Sequence, residues 1–552
     1  MVDRGPSHWR AARWALAILG VAGIIAVVPP LPLGAPTEGG PDVFSAARAI
    51  ELIERIAVEP RPIGSAANER ARATIVDELE RLGLEPELQA SEASDWFGLA
   101  DGSPVPVVNV LARIPGTAST GGVALVGHHD TVPTTTGAND DAAAVAVILE
   151  AARAIMAGPA LRNDVILVLT DGEEPAPRYG ATAFVAEHPW AATIGFVVNL
   201  EAIGSWGPPT LVGVVGPDGA AIDRYAAAVA RPVASSVLTA TRTLIGGSTS
   251  DMDVFGAAGM TGVELAYFHG SSIYHTPADA LDRVDVDTVH RLGDATLAIA
   301  RRVGNDDLGE PMEVRRTAFF TVGPIVVRHP AEWTVVVLVL AGLVLVAGAA
   351  ATSRSGAPVT WSGAGRGLFA TVLTMLVSAV AAVAAWTVVS GLRGDLGIAE
   401  GYLYLAGLVA LVVVVHAGSA RIARVAKARD AAAVGVVAAW CLLAAPLALA
   451  APEIGYLLAW PALAAATAIL LRRRGRAGGW LDLAAFALVA VTALVLVVPA
   501  VDTFFQFAQP RPGNPGSQLT WMVAIPAVLV ALVAELVVAV WPRPAPLVAE
   551  PG

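Results

Sequence analysis

In 552 residues the chain has one cysteine, Cys441, and one lysine, Lys427. A single cysteine excludes any intramolecular disulfide, whatever compartment the protein occupies. Charge is scarce as well: 15% of residues are charged against 55% hydrophobic, with a mean hydropathy of +0.61. That balance lies outside the range of a soluble globular protein and points to membrane spans. Positive charge is in deficit, 36 Lys and Arg against 48 Asp and Glu for a net of −12, which argues against a nucleic-acid partner. The sequence offers no internal repeat, no paired broken helices and no intramembrane charge relay, so nothing in it argues for a transporter.

The apolarity is uneven. Residues 41–310 have ordinary globular composition, whereas from 333 onward long runs of Ala, Val and Leu alternate with short polar breaks. A span needs about 20 mostly apolar residues. Residues 12–34 qualify and follow a basic start carrying Arg4, Arg10 and Arg13. A cleaved signal peptide has the same design, with "LGAP" as a weak cleavage site, but the length of the apolar stretch favours an uncleaved anchor. Seven more spans are expected near 333–352, 367–391, 401–418, 431–451, 455–471, 480–500 and 519–541. With the N-terminus in the cytoplasm, the basic segments "TSRSGAPVTWSGAGR", "RIARVAKAR" and "RRRGR" all fall inside, as the positive-inside rule asks. The expected organisation is a cytoplasmic start at 1–11, an anchor at 12–34, an extracytoplasmic globular domain at 41–310, and a connector at 311–332. A seven-span bundle at 333–541 and a cytoplasmic tail at 542–552 follow. The Ala/Val/Arg-rich, nearly lysine-free composition suggests a GC-rich bacterial genome and hence the plasma membrane. Within the bundle Glu535 is an intramembrane acid, expected to snorkel or to pair between helices, while Asp482 and His416 read as interfacial.

In the globular part, residues 43–90 read as helices around a loop at "VEPRPIGSAANE". Apolar strand-like runs ("PVVNVLARI", "GVALVGHH", "DVILVLT", "IGFVVNLEAI") then alternate with helical ones, which predicts an α/β fold with a mainly parallel sheet flanked by helices. Active sites in such sheets lie at the carboxyl ends of strands. "GVALVG" ends in His128, His129 and Asp130. Side chains alternate along a strand, so His128 and Asp130 share a face as ligand and orienting carboxylate, and His129 takes the other as a structural residue. "GANDDAAAV" brings Asp140 and Asp141 to a helix mouth, where plain N-capping is the simpler explanation for each alone. "DVILVLT" ends in Asp171, Glu173 and Glu174; "IGFVVNL" ends at Glu201; and "SSIYHTPAD" sets His275 directly after a β-like stretch. Each is weak alone. Four strand ends together present mixed nitrogen and oxygen ligands that suit zinc or a similar divalent ion, in numbers sufficient for two metals sharing a bridging carboxylate.

The motifs "GHHDTV…GANDDAAAV", "LTDGEEPAPRYGATAFV", "VVNLEAIGSWGP", "STSDMDVF" and "YHTPAD" resemble, in order and spacing, the co-catalytic di-zinc exopeptidase family, which includes bacterial leucyl aminopeptidases and glutamate carboxypeptidase. The overall layout is most similar to its vacuolar-membrane-protease branch. The resemblance implies a di-zinc exopeptidase fold joined to an all-α multi-span membrane domain, and peptide substrates met at a lipid bilayer. It implies one zinc held by His128, Asp140 and Glu201 and another by Asp140, Glu174 and His275, with Asp140 bridging and a water between the ions. Glu173 falls at the general base and Asp130 at the carboxylate that orients His128. A cis peptide is expected at Asp140–Asp141, and Thr131 stands where the family has serine. Tyr274 and Asp251 are candidates for substrate or supporting contacts. An inactive, receptor-like ectodomain and a glutaminyl-cyclase-like acyl transferase are the competing readings.

Overall fold

Seven consecutive residues are buried in each of the central strands β3 (Gly122–His128) and β4 (Asp164–Thr170). That is why both read as unbroken apolar runs: a parallel strand covered on both faces has no solvent side. The computed structural model describes residues 15–21, 39–93, 104–174, 178–244, 250–310, 315–354, 359–392, 398–423, 429–472, 479–509 and 520–542. The expected N-terminal span is described only over 15–21, which is helical, and the tail from 543 lies outside the described residues.

Eight strands form one mixed sheet in the order β1-β2-β4-β3-β5-β8-β6-β7, with β1 at Glu87–Ala93, β5 at Ile194–Ala202, β7 at Val233–Ala234 and β8 at Gly262–Tyr267. The centre, β4-β3-β5-β8, is parallel. Antiparallel neighbours flank it, β2 (Val105–Ile114) beside β4 and β6 (Thr210–Val215) beside β8. On one face the helix Ala142–Ala157, buried over most of its length, packs against Ala46–Ile56 and Val286–Val303. Ala46–Ile56 turns Ala49, Leu52, Ile53 and Ile56 to the core at helical spacing. Its Arg48 meets the buried Glu150 at 2.8 Å. Two features were not legible. The stretch read as helical to residue 90 ends in β1 (Glu87–Ala93), whose alternating exposed residues carry little apolar signal. The supposed connector is a hairpin of β9 (Thr317–Val322) and β10 (Ile325–Pro330), turning at Gly323 with φ 57°.

Among the described residues, seven helices beyond the hairpin are long and apolar enough to cross a membrane. The chain is a multi-pass membrane protein. Trp361–Leu392 and Trp480–Phe507 run longer than the expected spans. The extra turns of the latter carry Asp502 and Gln506 up to the globular domain. There Asp502 Oδ2 lies 3.1 Å from His269 Nε2, and the carbonyl of Gln506 accepts from Ser271 Oγ at 2.6 Å. A second tie joins Arg316 to Glu453 at 2.6 Å.

The polar residues of the bundle are paired. Glu535 Oε1 lies 2.8 Å from His416 Nδ1 and accepts from Thr374 Oγ1 at 2.7 Å, which joins three helices. Asp482, 0% exposed, takes Arg472 Nε at 2.6 Å, and Arg472 Nη2 also donates to the carbonyl of Trp541. His416 and Asp482 lie within three residues of a span end, and helix packing adds which face of each meets a partner. Asp482→Ala removes the carboxylate that meets the buried Arg472 guanidinium and is expected to destabilise the bundle by on the order of 3 kcal/mol. Asp482→Ala with Arg472→Met should recover most of that loss. Thermal unfolding of the full chain in detergent reads both.

Candidate metal centre

β3 ends at His128, and the strand alternation separates the adjacent histidines as expected. His129 turns away from the cluster, with Nε2 3.2 Å from the Val108 carbonyl and Nδ1 3.4 Å from Asn68 Nδ2. Burial pushes its pKa down to about 4, so it is neutral at ordinary pH. His128 turns inward. Its Nδ1 lies 3.2 Å from the Asp130 carbonyl and 3.4 Å from Asp130 Oδ1. Its Nε2 lies 3.3 Å from Asp140 Oδ1 and 3.9 Å from Glu201 Oε2.

The loop carrying Asp140 is held from two sides. Arg61, fully buried, donates to the carbonyls of His129 at 2.6 Å, Gly137 at 3.0 Å, and Thr136. Thr131 Oγ1 accepts the Arg61 backbone N–H at 2.9 Å, a bond a serine hydroxyl at this position would also make. From the other side Asp279 accepts the backbone N–H groups of Asn139 at 2.8 Å and Asp140 at 3.1 Å. The turn needs its glycine: Gly137 has φ 54°, and a Cβ there would sit 2.2 Å from the Asp140 carbonyl oxygen. The Asp140–Asp141 peptide is cis. Asp141 stands at the N-cap of Ala142–Ala157 but makes no capping bond; its Oδ2 accepts the backbone N–H of His128 at 3.2 Å instead.

Asp130 links this loop to the next strand end. Its two oxygens accept the backbone N–H groups of Glu173 at 3.2 Å and Glu174 at 3.0 Å. Burial opposes its charge, but the hydrogen bond and charge of His128, with the Glu174 N–H, outweigh it and hold its pKa below the usual carboxylate range. Glu174 then turns to His275, whose Nε2 meets Glu174 Oε1 and lies 3.2 Å from Asp140 Oδ2. His275 does not follow a strand directly. It comes after the short 3-10 turn Ser271–Ile273 beyond β8, with φ 60° and Tyr274 stacked on its ring at 3.8 Å. A left-handed, non-glycine residue of this kind is uncommon and concentrates at functional sites.

All seven residues carried over to the site, His128, Asp130, Asp140, Glu173, Glu174, Glu201 and His275, converge. Tyr274 flanks them. Asp251, 1% exposed, begins the helix Asp251–Ala257 and accepts from Thr170 Oγ1 at 2.5 Å. Burial raises the Glu173 and Glu201 carboxyls well above the usual range, and each raises the other or is raised by neighbouring acids. Two groups of buried side chains bring ligand atoms within 4.8 Å of one another: His128, Asp140 and Glu174, and His128, Asp141 and Glu201. His128 Nε2 is buried and has no hydrogen-bond partner. An unpartnered imidazole nitrogen among buried carboxylates is costly as a polar void and well suited as a metal donor set.

Residues 109–300 match the model of peptidase family M28. The match takes in all seven residues of the centre. The chain also has curated relatives of similar sequence. Endoplasmic reticulum metallopeptidase 1 of Rattus norvegicus is 30% identical over 317 residues, covering 54% of this chain and 35% of that protein. The vacuolar membrane protease of Candida dubliniensis is 33% identical over 205 residues, covering 37% and 21%. The matches thus span about a third or less of these relatives' own length. Among solved structures, a glutaminyl cyclase from Porphyromonas gingivalis is 20% identical with a TM-score of 0.39 and covers 47% of this chain and 98% of its own. An aminopeptidase from Aneurinibacillus sp. strain AM-1 is 16% identical with a TM-score of 0.39, covering 49% and 97%.

Sequence reasoning passed over Arg61 and Asp279. Asp279 closes the quoted motif "YHTPAD", and Arg61 lies in the loop "VEPRPIGSAANE", so the letters were present without a signal that they would meet the Asp140 loop. His128→Ala is expected to lose at least one metal ion per chain, and His129→Ala to keep the full complement. Metal counting by mass spectrometry on purified protein checks this, and the reverse result refutes the face assignment.

Proposed function

We propose that this chain is a membrane-anchored two-metal exopeptidase that removes N-terminal residues from peptides on the non-cytoplasmic side. The observation that carries the proposal is the Asp140 carboxylate, whose two oxygens face two different imidazoles, His128 and His275, at 3.3 and 3.2 Å. That arrangement supports one ion at His128, Asp140 and Glu201, a second at Asp140, Glu174 and His275, and Asp140 shared. Asp141 competes for the first position through its grouping with His128 and Glu201: its Oδ2 accepts the His128 N–H, while its Oδ1 is buried without a hydrogen-bond partner. Neutral imidazole with carboxylates is a donor set that favours zinc over magnesium or calcium. Ions bound there supply Lewis-acid polarisation of the scissile carbonyl and a water acidified toward neutrality.

The remaining work falls to the chain's own groups. Asp130, within 3.4 Å of His128 Nδ1, fixes the ring so that Nε2 points into the centre. Glu173, buried and directed by none of its bonds to a metal group, takes the proton from water and returns it to the leaving amine. Burial raises its pKa, which strengthens the carboxylate as a proton acceptor. Tyr274 and Asp251 border the site as substrate or supporting contacts. The carboxylates around the centre suit a protonated amino terminus, which restricts cleavage to the end of a chain.

The M28 match and the metallopeptidase relatives favour hydrolysis as the reaction class. In this reading residues 1–11 are cytoplasmic, 12–34 anchor the chain, 41–310 form the extracytoplasmic peptidase, and 311–332 lead to the bundle at 333–541. The tail from 542 to 552 returns to the cytoplasm, and the membrane is a bacterial plasma membrane. Purified full-length protein loaded with zinc is expected to release amino acids from free-amino peptides and to leave N-acetylated copies intact. Cyclisation of N-terminal glutaminyl peptides without hydrolysis would overturn the reading in favour of an acyl transferase, and no turnover of either substrate would overturn both.

A further inference from the structure

A cavity of about 640 Å³ lies under the globular domain and between the membrane helices Ile398–Ala423, Trp480–Phe507 and Ala524–Ala539. Val409 and Val413, Val497 and Val501, and Val533 and Val537 line it from the three helices. Its polar groups gather at one end. There His269 Nε2 meets Asp502 Oδ2 at 3.1 Å, Tyr402 joins the lining, and Gln506, behind the lining, donates from Nε2 to Asp502 Oδ1 at 3.3 Å. On Ile398–Ala423 the lining runs from Tyr402 to Val413. That is about 16 Å of helix at 1.5 Å per residue, or half of the roughly 30 Å hydrocarbon core. The cavity is therefore one leaflet deep, apolar along its length and polar where the globular domain roofs it.

Protein interiors pack closely, and a void forfeits the dispersion contacts of every atom that lines it. Water is no remedy for an apolar void, since a cavity of about 150 Å³ lined by aliphatic and aromatic groups stays dry yet takes up benzene. This cavity is far larger, and at this depth of a bilayer the available filler is hydrocarbon. We propose that it is a binding site for one acyl chain of a bilayer lipid, drawn from the leaflet next to the globular domain, with the lipid headgroup beside His269 and Asp502. The roof gives the site its consequence. The β5 and β8 extensions pair again at Trp206 and His269, and Ser271 Oγ bonds to the Gln506 carbonyl. The same loop continues to His275, so the bound lipid lies beneath a segment that reaches the metal centre.

The test uses the full chain. Protein reconstituted into vesicles of palmitoyl-oleoyl phosphatidylglycerol is re-extracted in mild detergent and weighed by native mass spectrometry. One retained lipid per chain is expected. Ala500→Phe and Val533→Phe, which fill the cavity from two helices, are each expected to lower the retained fraction at least fivefold. Leu343→Phe, on an exposed face of Trp333–Arg354, should retain lipid as the unaltered chain does. Absence of retained lipid in the unaltered chain, or retention in both filling variants equal to that of the unaltered chain, overturns the proposal. A cryo-electron-microscopy map of the unaltered protein in lipid nanodiscs is independent of whether either variant folds. Continuous tubular density in the cavity is expected there, and an empty cavity overturns the site. None of these readouts depends on peptidase activity.

Discussion

If the proposed two-metal peptidase reading holds, Glu173→Gln is expected to keep both metal ions and to lose peptide hydrolysis by roughly 10²–10⁴-fold in kcat, the range that a positioned general base contributes. The first half of that expectation follows from geometry. Glu173 belongs to neither group of converging ligand atoms, and its backbone N–H is held by Asp130 Oδ1 at 3.2 Å, so the amide variant leaves the loop and the ligands in place. The second half follows from chemistry. The amide matches the carboxylate in size but cannot accept a proton. The guanidinium of Arg178 lies 3.9 Å from Glu173 Oε1, so the variant also removes a charge partner there. That change could alter KM, which is why kcat and metal content are the quantities to compare. Retained turnover in a variant with two ions would refute Glu173 as the base. Loss of an ion would instead make it a ligand.

Asp140→Ala has the second large effect, and it falls on the metals themselves. A shared ligand serves both ions, so its loss is expected to exceed the roughly 10–100-fold drop in affinity that removing a supporting residue causes. Metal content should fall from two ions per chain to one or none. The consequence reaches stability because ions that bind only the folded chain stabilise it, by about 4 kcal/mol when free metal is a thousandfold above Kd. Chelator should therefore lower the Tm of the unaltered protein by several degrees and leave Asp140→Ala nearly unmoved. The loop itself should survive, since Arg61 and Asp279 hold its backbone rather than the Asp140 side chain. Full metal content in Asp140→Ala, or an equal response to chelator, would contradict the bridging role. Asp141→Ala is the control, expected to keep at least one ion at Asp140, Glu174 and His275.

The candidate site was legible to an unusual degree because its residues sit at strand ends, where a period of two fixes the side of each side chain. His128, Asp130 and His129 could be sorted by counting, and Glu201 ends a strand that anyone reading apolar runs would mark. His275 joins the cluster, but in a setting other than the expected one. The sequence pattern "SSIY" has β-like composition, yet Gly270 with φ 70° leads into a 3-10 turn, and the histidine itself is left-handed. The supports were hidden for another reason. Arg61 reaches the Asp140 loop across 76 positions to Gly137, and Asp279 across 139 to the Asp140 N–H. No local periodicity records a contact at that separation.

The same division holds in the bundle. Runs of about 20 apolar residues are set by the thickness of a bilayer, so seven spans could be counted from composition alone. Which polar side chains meet inside could not, because a helix that is apolar all round gives no stripe from which to infer its facing side. His416, Thr374 and Glu535 come from three different helices, and Asp482 from one that folds back on Arg472. Chain order by itself determined the ligand types, their strand ends and the spans, since each depends on residues a few positions apart. Only the tertiary structure decided that Asp140 faces two imidazoles, that acids in the membrane are paired, and that an apolar cavity runs beneath the loop bearing His275. Those facts depend on surfaces brought together from distant parts of the chain.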